Sequence, residues 1–357
     1  MFNLVCKNSI TKNDIKIKGK VLQDYSFDGK ERPWIKKKIQ THLLADAYFK
    51  LGYQNKAVRV DECGTYLEFK DCPNGHEGQK LLSYANFCRE RLCPMCQWRR
   101  SMKLSWQVKN VCHYALLQDK SLKFIMLTLT VKNVKGDMLS DTIDNMMYAY
   151  RKLTYRKEVK RAIEGYFRVL EITYNENRED YHPHFHILLP VKERYFQGYY
   201  YISQERWTEL WRKSLKVSYD PIVEVHKIRS RKGKSKVQED QDNYLQAMEK
   251  AAAEVGKYTV KPDDYIKNNP EVTQEVVGVL TEALKGRRLV SYAGILKTAY
   301  NVLKMEDIDS DNTDLVHTTE NEKECKCSVC NSDLEDYVYS WNIGAGQYIG
   351  QVKERGL

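Results

Sequence analysis

HPHFHILLPV (residues 182–191) decides how this chain folds, because it reads as a strand with two unlike faces. Side chains alternate across a strand, so His184 and His186 project together while Phe185 points into the opposite layer. GYFRVLEITY (165–174) lies just upstream, joined to it by the polar loop 175–181. The two segments make an antiparallel hairpin. Pairing Glu171 with His186 puts the turn between residues 178 and 179 and sets Leu170 opposite Ile187, apolar against apolar. Glu171 then shares the histidine face. A carboxylate in a Val/Leu/Ile strand is costly to bury unpaired. Two imidazoles and one carboxylate therefore read as ligands for Mg2+ or Mn2+, in a set that also tolerates zinc. The plain alternative is a pair of histidines alternating on a strand in purely structural roles. His182 shares the face but precedes a proline at the strand mouth, and reads as a supporting group or a bystander.

Working outward, LKFIMLTLTV (122–131) is a short, apolar, Thr-rich run, and DPIVEVHKIR (220–229) is another strand. Leu139, Ile143, Met146, Tyr150 and Leu153 recur at helical steps, predicting a helix capped by Ser140 or Asp141. Trp207, Leu210 and Trp211 mark a short helix after Ser203. Residues 243–260 read as helix, as does the Val272–Leu284 stretch stopped near Gly286, with 289–304 as its partner. The fold class is α+β: a central antiparallel sheet flanked by helices, plus a zinc-binding module. The boundaries read as a basic segment over 1–60, a Cys-rich module over 61–117, the α+β domain over 118–265, a helical extension over 266–305, and an acidic linker with a Cys-containing tail over 306–357.

The Cys-rich module contains Cys88-x4-Cys93-x2-Cys96, a metal knuckle. With Cys63 it makes a closed four-thiolate Zn2+ site, for which Cys72 and His76 are competing donors. Arg89, Arg91, Arg99 and Arg100 crowd the knuckle and suggest contact with DNA. Cys325, Cys327 and Cys330 form a second group, either a site of their own, with His317 as a further donor, or ligands completing the first.

In EKAAAEVGKYTVK (249–261), Glu254 and Tyr258 are four residues apart and share one helix face. A tyrosine attacking a phosphodiester forms an ester that conserves bond energy for rejoining, and a nearby carboxylate can activate a second nucleophile. Lys257 and Lys261 are placed to ease ionisation of the phenol and to contact DNA. The chain holds 25 tyrosines, so the pairing alone is weak: most tyrosines pack or face solvent. The loop Arg229–Lys236, with Arg229, Arg231, Lys232 and Lys234, is either a DNA grip or a solvated loop.

Composition narrows the class. The chain has 357 residues, with 58 Lys+Arg against 48 Asp+Glu for a net charge of +10, which fits a polyanionic partner. No apolar run is long enough to span a membrane, and the N-terminal charges leave no room for a signal peptide. Ten cysteines without a secretion signal point to metal binding in the reducing cytoplasm.

LTLT (127–130), the Glu171 strand, HPHFHILLP, EVGKYTVK and FCRERLCPMCQWRR together resemble the plasmid rolling-circle replication initiators. These belong to the endonuclease superfamily named for its His-hydrophobic-His (HUH) motif. The resemblance runs from about Cys63 to Leu303 and is to the branch with one tyrosine and a glutamate four residues before it. It implies a five-stranded antiparallel sheet with helices. It also implies that Tyr258 nicks one strand of the plasmid origin, leaving a 3′-hydroxyl primer and a 5′-phosphotyrosyl ester. His184, His186 and Glu171 would hold the metal, and Glu254 would activate water at termination. The implied partners are origin DNA in duplex, hairpin or single-stranded form, a host helicase and polymerase, and a second copy of the chain. A relaxase or transposase of the same superfamily, or a zinc-dependent nucleic-acid-binding regulator without nuclease activity, are the competing readings.

Overall fold

The computed structural model describes residues 20–26, 29–74, 80–229, 239–256, 260–319, 326–327 and 329–352. The chain begins with β1 (Lys20–Val21), α1 (Trp34–Lys50), α2 (Gln54–Asp61), β2 (Tyr66–Asp71), β3 (Leu81–Ala85) and α3 (Pro94–Gln118). It continues through β4 (Leu122–Thr130), α4 (Gly136–Tyr155), α5 (Lys157–Ala162), β5 (Gly165–Asn175), β6 (Asp180–Lys192), α6 (Gln204–Leu215) and β7 (Val223–Lys227). It ends with α7 (Glu239–Val255), α8 (Pro262–Tyr265), α9 (Pro270–Leu284), β8 (Val290–Gly294), α10 (Ile295–Val302), β9 (Glu335–Asn342) and β10 (Gln347–Val352). No helix among the described residues is long and apolar enough to cross a membrane.

Two antiparallel sheets of five strands organise these elements, in the orders β7-β4-β6-β5-β8 and β1-β10-β9-β2-β3. The first has β6 at its centre, so both faces of that strand must be covered. On one face Phe185 meets Tyr150 of α4 and Trp211 of α6, with ring centroids 5.5 and 6.4 Å away. Trp211 also donates its indole N–H to the Thr130 carbonyl at 2.8 Å, so a large aromatic is buried with its polar atom satisfied. The helical periodicity of α4 is realised, since Leu139, Ile143, Met146, Tyr150 and Leu153 are all buried. The helix starts earlier than its Ser/Asp cap signal suggests, at Gly136, and Ser140 instead accepts a hydrogen bond from Arg287 at 2.9 Å.

The hairpin register differs from the sequence expectation by two residues. Glu171 pairs with His184, and Leu170 lies opposite Phe185, not Ile187. Asn175 pairs directly with Asp180, and its side chain accepts from the Arg178 amide at 3.0 Å. An Asx-type contact of this kind tightens the turn. Because the slip is even, every side chain keeps its face.

Two boundaries shift. Residues 290–294 form the edge strand β8 beside β5, where a helix had been expected, so the sheet reaches past residue 265 to recruit its fifth strand. The C-terminal hairpin β9–β10 is no tail, because β9 pairs with β2 along its length. The acidic stretch after residue 305 packs as a strap: Ile308 and Leu315 are buried, and Lys103 binds Glu306 at 2.8 Å.

At the β5–β8 edge Gly165 faces Gly294, whose φ is +58°. A Cβ at Gly294 would lie 2.2 Å from the Glu164 carbonyl oxygen. Only glycine permits both the backbone conformation and the approach. Gly294→Ala is expected to lower stability by about 1–3 kcal/mol, read as a reduced urea midpoint at constant m. An unchanged midpoint would contradict this packing.

Candidate metal and nucleic-acid site

β6 and its neighbours bring Glu171, His184 and His186 together on the face opposite Phe185. The Nδ1 of His184 lies 3.0 Å from the His182 carbonyl. A carbonyl only accepts, so Nδ1 carries a proton, and Nε2 is the nitrogen left to donate to Glu171 in the protonated ring or to bind a metal in the neutral one. That nitrogen faces Oε2 of Glu171 at 3.7 Å, and Nε2 of His186 faces the same oxygen at 3.0 Å. All three ligand atoms lie within 4.8 Å of one another. For metal–ligand lengths of about 2.1 Å, adjacent corners of an octahedron are about 3.0 Å apart, so the set fits a divalent ion.

The flanking strands orient these rings. Thr128 of β4 lies directly opposite His186, with its Oγ1 3.3 Å from the ring Nδ1. LTLT is thus the adjacent strand, and its threonine is part of the site's support. His182 points its Nδ1 at Asn133 Oδ1, 2.8 Å away, and holds His184 through its carbonyl, so it is a positioning residue. An open cavity of about 330 Å³ adjoins it, lined in part by Asn133 and Arg178.

Glu171 is buried, which pushes its pKa up, but hydrogen bonds from His184, His186 and Lys261 outweigh this and hold it well below the usual carboxylate range. Lys261 sits at the start of α8 and places Nζ 2.8 Å from Glu171 Oε1. That contact raises the lysine pKa, with the charge of Glu254 among the further causes. Lys261 is therefore committed to the carboxylate, a role its sequence context did not disclose. Glu254 is exposed near the end of α7. That helix end is fixed against α3: a Cβ on Gly256 would lie 2.8 Å from Ser105 Cα. Lys257 and Tyr258 lie outside the described residues, as do Arg231, Lys232, Lys234, His76 and Cys325.

The four cysteines 63, 88, 93 and 96 also converge, buried, with Sγ–Sγ separations of 3.6 Å (63–96), 3.7 Å (88–96) and 3.5 Å (63–93). A zinc tetrahedron with Zn–S about 2.3 Å has edges of about 3.75 Å, so the donor set fits zinc. The Arg89 amide donates to Cys96 Sγ at 3.2 Å and the Cys88 amide to Cys63 Sγ at 3.4 Å, as thiolate sites require. Burial raises the Cys96 pKa, but hydrogen bonds from the other three thiols and the charge of Arg100 pull it below its ordinary value.

The arginines around this knuckle divide. Arg89 is exposed and Arg229 likewise. Arg99 and Arg100 are buried, which corrects their reading as DNA-facing groups. Arg99 donates to the Leu315 carbonyl at 2.8 Å and stacks near Trp34 and Trp98. Arg100 donates to the Arg89 carbonyl at 2.7 Å. Arg91 binds the carbonyls of Leu284 and Arg287 at 3.1 and 2.6 Å, tying the module to the end of α9. Lys38, fully buried, donates to the Cys63 carbonyl at 3.1 Å. Burial lowers its pKa against the pull of Asp61 and the cysteines. Nothing in its lysine-rich surroundings in the sequence marked it as the buried one.

The family model described as "Replication protein" matches residues 79–349. A "Protein rep" from Bacillus amyloliquefaciens is 40% identical over 343 residues, covering 92% of this chain and 97% of its own. One from Streptococcus pneumoniae serotype 2 is 37% identical over 340 residues, covering 94% and 97%. One from Lentilactobacillus hilgardii is 40% identical over 292 residues, covering 82% and 88%. No solved structure matches the chain.

Calorimetric titration with Mn2+ is expected to show binding that His186→Ala abolishes. Thr128→Val, which removes only the hydroxyl beside His186, should weaken that binding about 10–100-fold with unchanged circular dichroism. Equal affinity in all three proteins would remove the metal assignment.

Proposed function

The chain belongs to the replication protein family, and from that premise we propose that it initiates plasmid rolling-circle replication by nicking one strand of the origin. Lys261 carries this reading. It ties the EVGKYTVK segment to the histidine pair, because its ammonium reaches Glu171 at 2.8 Å and it follows Tyr258 by three residues. Tyr258 itself lies outside the described residues, and its place at the ligand cluster is part of the proposal.

In the proposed step the Tyr258 phenol oxygen attacks the scissile phosphorus. The P–O3′ bond breaks with its electron pair on the 3′-oxygen, and the proton lost by the phenol is balanced by the proton that oxygen gains. The products are a 5′-phosphotyrosyl ester and a 3′-hydroxyl primer. His184, His186 and Glu171 would hold a divalent ion, which would supply Lewis-acid polarisation of the phosphate. The His182 carbonyl keeps a proton on Nδ1 of His184 and leaves Nε2 for the metal, and the Thr128 hydroxyl orients the His186 ring. At termination Glu254 takes a proton from a water whose oxygen bonds to phosphorus as the P–Oη bond breaks, and the departing Tyr258 phenolate takes up a proton, releasing the enzyme from a 5′-phosphate. Its exposed position at the end of α7 leaves it open to solvent, which supports this role.

Origin DNA is the partner the +10 charge fits. Exposed Arg89 and Arg229, and the basic loop that begins at Arg229, are the groups offered to its backbone. Arg99 and Arg100 serve the zinc module from within and are not assigned to DNA.

With Mn2+ and supercoiled plasmid carrying the origin, the wild-type protein should nick and form a covalent adduct. Tyr258→Phe should abolish both, while Glu254→Gln should keep nicking and accumulate adduct. An adduct persisting in Tyr258→Phe would move the nucleophile to another tyrosine, and cleavage insensitive to EDTA would remove the histidine role.

A further inference from the structure

Cys72, Cys327 and Cys330 form a second thiol cluster whose ligand atoms lie within 4.8 Å of one another. It is separate from the four-cysteine site. Cys63 precedes β2 and Cys72 follows it, and the six residues of that strand, Tyr66–Asp71, span about 20 Å. The C-terminal cysteines therefore do not complete the first site.

We propose that Cys72, Cys327 and Cys330 bind a second zinc ion that fastens the C-terminal hairpin to β2. The Sγ atoms of Cys72 and Cys330 are 3.6 Å apart. That is close to the edge of about 3.75 Å expected for a zinc tetrahedron and well beyond the about 2.05 Å of a disulfide.

Backbone hydrogen bonds hold Cys327 beside the turn at Cys330. The Cys327 amide donates to the Ser332 carbonyl and the Asn331 amide to the Cys327 carbonyl, each at 2.9 Å. Asn331 turns the chain with φ of +58°, a conformation asparagine adopts more readily than most residues. Asn74 supports the cluster from outside, placing Nδ2 3.4 Å from Cys330 Sγ and 3.1 Å from Ser332 Oγ. Three thiolates suit a borderline-soft ion such as zinc and not Mg2+ or Ca2+. Zinc's fourth place is open to water or another donor.

The position gives the ion its work. Cys72 directly follows β2, and Cys330 lies five residues before β9, at the end of the pair where Asp71 meets Glu335. Cys72 and Cys330 are 258 positions apart in the chain. A metal link there closes a long loop and fixes the register of the β2–β9 pair, as a cross-link would.

The test uses the full-length protein purified under reducing conditions. Elemental analysis should find two zinc ions per chain, and the double variant Cys327→Ser/Cys330→Ser should retain one. Cys112→Ser, at a buried cysteine outside both clusters, should retain two. Because the double variant could unfold, the wild-type protein provides an independent readout. N-ethylmaleimide labelling mapped by mass spectrometry should leave Cys72, Cys327 and Cys330 unlabelled until a chelator is added, and then label all three. One zinc per chain in the wild type, an undiminished zinc count in the double variant, immediate labelling of the three thiols, or a Cys72–Cys330 disulfide would each overturn the proposal.

Discussion

A central strand must satisfy two environments at once, and β6 does so by alternation. Phe185 enters the layer formed by α4 and α6, while its neighbours His184 and His186 are delivered to the other face. Burying a strand between two neighbours fixes the directions of its side chains more firmly than a loop could. The two rings are locked by what β4 and β6 present beside them, namely the Thr128 hydroxyl and the His182 carbonyl. Moving β6 by one residue would send both imidazoles into an aromatic core and Phe185 into the ligand cluster. The sheet therefore serves as the scaffold of the chemistry as well as its support.

Charge is managed by residues far apart in sequence. Glu171 is bracketed by two imidazoles and the ammonium of Lys261. The thiol cluster has Arg100 beside it and Lys38 beneath it. Buried carboxylates and thiolates are stable only with such compensation. The cations that provide it spend their hydrogen bonds on carbonyls and acceptors inside the protein. This accounts for part of the basic composition without any polyanionic partner.

The two sheets interlock along the chain. The Cys-rich sheet draws strands from both ends, and the sheet that carries the histidine pair takes its fifth strand from beyond α9. Arg91 and Arg99 link the knuckle to residues around 284–287 and 315–316. Linear boundaries such as 118–265 cut through this arrangement because composition changes along the sequence, whereas strand pairing depends on edges left open in space. VSYAG reads as the opening of a helix when the apolar residues after it dominate the window. It becomes a strand because β5 offers an unpaired edge and the glycine pair Gly165–Gly294 allows the approach.

The sequence by itself determined the faces: alternation placed Glu171, His184 and His186 on one side, and the spacing of Cys88, Cys93 and Cys96 made a knuckle that needed one more thiolate. These are consequences of local geometry, since a strand repeats every two residues and a metal loop closes over a few. The tertiary structure decided which residue stands opposite which. The tight turn at Asn175–Asp180 moved the register by two residues, a change invisible to a pattern of period two. It also decided which of many similar cations are buried. Lys38, Arg99 and Arg100 resemble their surface neighbours in sequence, and only the packing of distant elements around them buries them and sets their partners, as it also brings the exposed Lys261 to Glu171.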